Sequence, residues 1–248
     1  MKKTFLIFLI SIVSLSVIHA QDSTSSKKIS SGKGEKVIIN IYNDFWQGAD
    51  TSLTVKSFNR GVAFYLMYNV PFGKSKFSFN IGFGLGSHNL FSDASPAKEM
   101  SYDSVSSTNV YTGNTIFNRI PKTINGNKIE YIVNKINLSY FDVPVEFKYS
   151  AENKKGKDIR FAVGFKAGYL INNHTKYSGD DYLSGTTDKV KYKNYKIPNI
   201  ETLRYGVTAR FNYGMFGVFG YYSLTNIFKK DKGLEMYPVS AGIAISLL

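Results

Sequence analysis

Seven ionisable residues, Asp142, Glu146, Lys148, Arg160, Lys166, Arg204 and Arg210, share one phase of a period-two pattern that is otherwise small or polar. Charges so placed can neutralise one another across neighbouring strands, or line a narrow ion path or proton relay. Buried charge is costly unless paired, so acids on one strand facing bases on the next suit a filled interior better than a conduit. If Ala151–Lys157 is a tight connection with Ser150 facing Asp158, Asp142 falls opposite Lys166 and Glu146 lies diagonal to Arg160. A second set is basic. Lys189, Lys191, Lys193 and Lys196 recur at alternating or near-alternating positions in a Tyr-rich stretch. That spacing fits a solvated strand extension, or a surface for acidic glycan or lipopolysaccharide.

Catalytic chemistry has less to work with. His88 and His174 fall near strand ends, separated by a whole strand. Ser87 precedes His88, Asp180-Asp181 are the acids nearest to His174 in sequence, and His88 has no obvious carboxylate in reach. A rim-sited enzyme needs these groups convergent, so ordinary rim polarity is the expectation. Nothing has metal-ligand spacing, and the absence of cysteine removes disulfides, thiolate metal sites and a lipidation cysteine. The sequence implies no cofactor.

The elements that must position these residues are strands. From Asp158 to Asn172, Ile159, Phe161, Val163, Phe165, Ala167, Tyr169 and Ile171 alternate with Arg160, Ala162, Gly164, Lys166, Gly168, Leu170 and Asn172. Period two puts the two sets on opposite faces of a strand. Eight candidates of this kind span Val37–Trp46, Phe58–Val70, Lys76–Ser87, Lys135–Tyr149, Asp158–Asn173, Thr202–Tyr213, Phe216–Asn226 and Met236–Leu248. An even number lets an antiparallel barrel close. The connections alternate between short turns and longer segments, the longest being about 88–134 and 174–201. In outer-membrane barrels the short turns are periplasmic and the long loops extracellular. Pro144, and a slip in phase between Ile136/Leu138 and Val143/Val145, point to a bulge or local distortion in the fourth strand.

Alternation alone does not say which face is outside, since a soluble ligand-binding barrel would turn its apolar column inward. Two features favour a membrane barrel. The polar column is rich in Gly82, Gly84, Gly86, Ala162, Gly164, Gly168, Gly206, Gly242 and Ala244, which suits a narrow lumen better than a wet surface. The apolar column carries Tyr68, Phe77, Tyr149, Phe161, Tyr213 and Phe216 near its ends, as an interfacial girdle would. The expected fold is all-β: an eight-stranded antiparallel up-and-down transmembrane barrel over residues 37–248. Residues 1–20, with Lys2-Lys3, an apolar run and Ile18-His19-Ala20, read as a cleavable signal peptide, and 21–36 as a disordered periplasmic leader. The formal charge of +13 is scattered, with no basic stripe or reader motif, so nucleic acid is not an expected partner.

Tyr140-Phe141-Asp142-Val143-Pro144-Val145-Glu146-Phe147-Lys148-Tyr149 resembles the characteristic strand of the PorT-like outer-membrane β-barrel family. Gly82-Phe83-Gly84-Leu85-Gly86, the Ala162–Tyr169 run with Lys176, and Arg204-Tyr205-Gly206-Val207-Thr208-Ala209-Arg210 extend the similarity over nearly the whole mature chain. The resemblance implies an eight-stranded barrel in the outer membrane, without implying a single function. Ser240-x-Gly242-x-x-Ile245-x-Leu247 is similar to the terminal signal read by the barrel-assembly machinery, with aliphatic residues where aromatics are usual. An eight-stranded interior is just filled by side chains. The expectation is therefore a non-enzymatic barrel with a plugged lumen, acting as a scaffold or as an accessory subunit of an outer-membrane protein complex. Its other partners would be outer-membrane lipid and lipopolysaccharide. A small porin-like channel is the alternative, and a rim-sited enzyme the third reading.

Overall fold

The computed structural model describes residues 35–104, 107–152 and 157–247. The expected signal peptide, and the leader as far as residue 34, lie outside them. Thirteen strands and no helix occur among the described residues. They are β1 (Val37–Gln47), β2 (Arg60–Pro71), β3 (Phe77–Phe91), β4 (Ala94–Asp103), β5 (Thr108–Arg119), β6 (Thr123–Ile124), β7 (Asn127–Lys128), β8 (Tyr131–Glu152), β9 (Asp158–Asp180), β10 (Lys189–Tyr195), β11 (Leu203–Tyr213), β12 (Phe216–Ser223) and β13 (Tyr237–Leu247).

Eight of these close a ring in the order β1-β2-β3-β8-β9-β11-β12-β13, antiparallel at every junction, and β13 returns to β1 from Val37↔Leu247 to Gln47↔Tyr237. Closure leaves no unpaired edge within the ring, as a bilayer requires. One end carries the short connections. In the tightest, Tyr213 pairs with Phe216 and Gly214 adopts φ 62°, a left-handed conformation that a side chain would disfavour. The other end carries the long connections, which are largely sheet. β4 and β5 form a hairpin, β6 and β7 a shorter one, and β10 pairs with the end of β9. β3, β8 and β9 therefore rise well beyond the expected strand ends, and the ends of segments 88–134 and 174–201 extend the wall.

The apolar column faces outward. Phe64, Phe83, Val163, Phe165, Val207 and Ile243 are exposed on the wall, while Ala63, Ala162 and Ala244 beside them are buried. At the turn end Tyr68, Phe72, Phe161, Tyr213 and Phe216 are exposed, so the outer surface ends in aromatic rings. This is the burial of a barrel that meets lipid on its wall, the reverse of a soluble ligand carrier.

Three local expectations are corrected. Ser150 pairs with Arg160, and Glu152 with Asp158, so the β8–β9 register is shifted by two residues: Asp142 faces Gly168 and Lys166 faces Pro144. The bulge near Tyr140 lies on β9, not β8, while a second, at Ile132, lies on β8. Tyr140 pairs with Leu170 and Ser139 with Asn172, which leaves Ile171 as the extra residue. At Pro144 the β3–β8 pairing is merely interrupted between Ile81↔Val145 and Gly84↔Asp142, with no change of register, because proline lacks the ladder donor. β8 keeps one phase from Asn134 to Lys148. Its inward residues change from Asp142 and Glu146 in the ring to Ile136, Leu138 and Tyr140 near the loop end.

Candidate functional site: a charged lumen under an apolar lid

All seven expected lumen charges are buried, and they are brought together in two groups. The group at the turn end is built on Arg210. Its guanidinium donates to Glu35 (2.6 and 3.0 Å), Glu146 (2.7 Å), Asn212 (2.8 Å) and Ser246 (2.9 Å). Lys148 and Arg160 approach the same Glu35 carboxylate at 3.7 and 3.5 Å, and Arg160 also donates to the Gly214 carbonyl. Glu146 therefore pairs with Arg210 rather than with Arg160. The expected leader overshoots by two residues, since Glu35 is wholly buried and the Lys36 amide donates to the Leu247 carbonyl. Composition hid Glu35, because it ends a run of Ser, Gly and Lys.

Further toward the loop end, one nitrogen of Arg204 reaches both oxygens of Asp142 at 2.9 Å. Tyr65 donates to the same carboxylate at 3.0 Å, and Lys166 stands 3.7 Å from it. The register explains the pairing. Asp142, Gly168 and Arg204 form one row across β8, β9 and β11, so the ion pair must span the intervening strand. A Cβ on Gly168 would come within 2.4 Å of Asp142 Oδ1 and 2.9 Å of Arg204 Nε, and one on Gly86 within 2.6 Å of Asp142 Oδ2. The small residues of the lumen phase thus make room for this pair. Arg204 lies 3.8 Å from the Tyr140 ring centroid and Lys166 3.9 Å from that of Tyr221, geometry that favours a desolvated cation.

A third cluster was missed from sequence. His88 Nδ1 lies 2.9 Å from Asp44, Ser240 donates to Asp44 at 2.6 Å, and Tyr42 stands 3.1 Å from His88 Nε2. The carboxylate for His88 therefore comes from β1. Its signal was available, because Asp44 shares the inward phase of Tyr42 and Trp46. Ser87 points the other way and accepts from Asn137. His174 is on the outside of the wall, against Tyr195 and Asn172. Asp180 and Asp181 do not serve it: the first binds Lys189 and the second Ser184 and Tyr192. The two histidines thus stand on opposite faces of the wall. Among the described residues no group of three or more His, Asp or Glu is placed to hold a metal.

Above these clusters the interior turns apolar. Trp46, Leu90, Ile136 and Leu138 from the strand tops pack with Leu53, Phe117, Ile200, Ile227, Phe228 and Met236 from the connections. This forms a lid. Between it and the charges lies a cavity of ≈ 10 Å³ bordered by Trp46, His88, Tyr140 and Arg204, room for about one water.

The basic set divides. Lys189 is paired with Asp180 at 2.5 Å, Lys196 sits at φ 61° beyond β10, and Lys191 and Lys193 are exposed on β10. Asp180 is held below the usual carboxylate range by its bond to Lys189. The Tyr192 hydroxyl is pushed up to about 12 by its bond to Asp181.

Fold and wall chemistry together define a transmembrane β-barrel. The chain matches the outer membrane protein beta-barrel domain family over residues 37–229 and belongs to it. No curated protein and no solved structure matches it.

Proposed function

We propose that this chain is a closed outer-membrane barrel, related within its family to the PorT-like proteins, that serves as a membrane scaffold or accessory subunit. It is exported by its signal peptide and inserted by the barrel-assembly machinery. Its short turns face the periplasm and its loop end faces outward. It performs no catalysis, takes no cofactor and conducts no solute.

The observation that carries this reading is the continuity of filling along the lumen. Paired charge at the turn end gives way to the Asp142–Arg204 cluster, then to His88 and Asp44, then to the apolar lid. A conducting path would need water beside these groups, whereas here they pair with one another across the lumen, although Arg160 Nε and Nη1, Arg204 Nε and Arg210 Nε make no hydrogen bond. The loop end is built as sheet, a rigid surface of the kind that carries binding.

Planar-bilayer recording on the folded chain tests closure, and native mass after gentle extraction from the outer membrane tests the role. The expected results are no steady conductance and a defined mass, of the monomer for a scaffold or of a stoichiometric assembly for a subunit. Steady conductance from the intact barrel would overturn the reading in favour of a small channel.

A further inference from the structure

The outward wall of β8, β9 and β10 carries an arrangement that the lumen does not explain. Lys135 pairs with Lys176, and Lys176 with Lys193, so three lysines lie side by side in one row across adjacent strands. Like charges directly opposite one another destabilise a sheet, yet no carboxylate is set among them. Lys191 lies two residues further along β10, on the same face, and Lys56 and Arg60 flank the row, over the rings of Tyr131 and of Phe58 and Phe91. Among the described residues none of these six cations forms an ion pair, although nearby Lys189, Lys128 and Arg119 each have one. The β9 bulge is responsible. The extra residue, Ile171, shifts the phase, so that Lys176, which strict alternation from Lys166 would turn inward, is exposed.

Position specifies the anion. Ile171 and Tyr169 are exposed at the top of the apolar wall. Lys176 is five residues beyond Ile171, roughly 13 Å higher for a strand of ordinary rise and barrel tilt. A phospholipid headgroup layer is only about 5–8 Å deep per leaflet. Between the two levels, the bulge and the end of β10 frame a hollow of ≈ 330 Å³ lined by Leu170, Ile171, Asn172, Asn173, Tyr195 and Lys196. We propose that this face binds the phosphates of a tall-headed anionic glycolipid in the surrounding leaflet, its sugars in the hollow and its phosphates on Lys135, Lys176 and Lys193. The inference rests on reading the exposed apolar wall as lipid-facing and the loop end as outward.

The test uses the full barrel in phosphatidylcholine nanodiscs doped with a phosphorylated lipid A–core lipopolysaccharide, its dephosphorylated form, or phosphatidylglycerol. Native mass spectrometry then counts the lipids retained. The phosphorylated glycolipid is expected to be held in preference to the other two. The triple variant Lys135→Gln/Lys176→Gln/Lys193→Gln is expected to lose at least about tenfold of that retention, since each cation near an anionic surface contributes severalfold. A control variant, Lys122→Gln/Lys128→Gln/Lys230→Gln, should retain lipid as the parent does, and native gel mobility confirms folding of both. Equal retention of the dephosphorylated form or of phosphatidylglycerol overturns the proposal, as does an unaffected triple variant. Failure of the outward reading is separately visible: Asp188→Cys in whole cells would then resist an impermeant maleimide, whatever the nanodiscs retain.

Discussion

Asp142→Asn removes the one negative charge at the centre of the Asp142–Arg204–Lys166 cluster while leaving side-chain volume almost unchanged. Asp142 accepts two contacts from Arg204 and one from Tyr65, and is the anion beside Lys166. Removing one partner of a buried ion pair costs about 3–5 kcal/mol, because the surviving charge is left uncompensated. The stacking of Arg204 on Tyr140 and of Lys166 on Tyr221 survives the change and offsets part of that loss. The expected destabilisation is therefore at the low end, about 3 kcal/mol, or roughly a hundredfold in the unfolding equilibrium. The chain has a single tryptophan, Trp46, whose indole donates to the Asn89 carbonyl and packs in the lid, so its fluorescence reports urea unfolding in lipid vesicles. Asp142→Leu/Lys166→Met/Arg204→Met replaces the whole cluster with apolar volume and should recover most of the loss, as apolar replacement of buried ionic triads does. A single-variant cost below about 1 kcal/mol would refute the reasoning, since it would mean the two cations are solvated.

Other consequences follow from the same geometry. Gly168→Ala keeps every charge but drives a methyl into Asp142, so it should cost about 1–3 kcal/mol by the same assay. Gly220→Ala, whose Cβ would meet nothing within 4 Å, should change little. Glu35→Gln leaves Lys148, Arg160 and Arg210 sharing Glu146 alone, and should lower the urea midpoint by an amount comparable to Asp142→Asn. In the β9–β10 hairpin the raised Tyr192 contributes stability that is complete below the ordinary tyrosine value and is lost as pH rises through about 12. Phenolate absorbance, taken as the difference from Tyr192→Phe, should show that midpoint, and Asp181→Asn should bring it down toward about 10.

Most of the ring was legible because period-two alternation is a direct imprint of a wall with two solvents, and the strands from Val37 to Leu247 lie close to where alternation places them. Side-chain phase follows from the strand alone, and all seven charges on the inward phase are buried. Their partners followed only in part, because pairing depends on register. A two-residue difference in the β8–β9 register sets Asp142 opposite Gly168 and makes Arg204 its nearer cation, with Lys166 still 3.7 Å away. Glu35 was lost to its polar neighbours, although a carboxylate two residues before a strand rich in lumen-phase polar groups is a usable sign. The lid was obscured for a different reason. Ile136 and Leu138 looked out of phase because an interior was assumed to stay polar along its length, whereas above the membrane it becomes an ordinary apolar core. The row of lysines depends on a one-residue bulge, which alternation alone does not announce.

Cysteine labelling from water tests lumen closure most directly, and the absence of native cysteine makes it clean. Single cysteines at Ala63, Ala162 and Ala244 report the lumen, and those at Phe64, Val163 and Ile243 report the lipid face. In the folded, membrane-embedded barrel a closed lumen leaves both sets unlabelled by a small water-soluble maleimide, and urea exposes both. Rapid labelling of the lumen set alone, with the wall set still protected, would mean that water fills the barrel and would contradict a closed lumen.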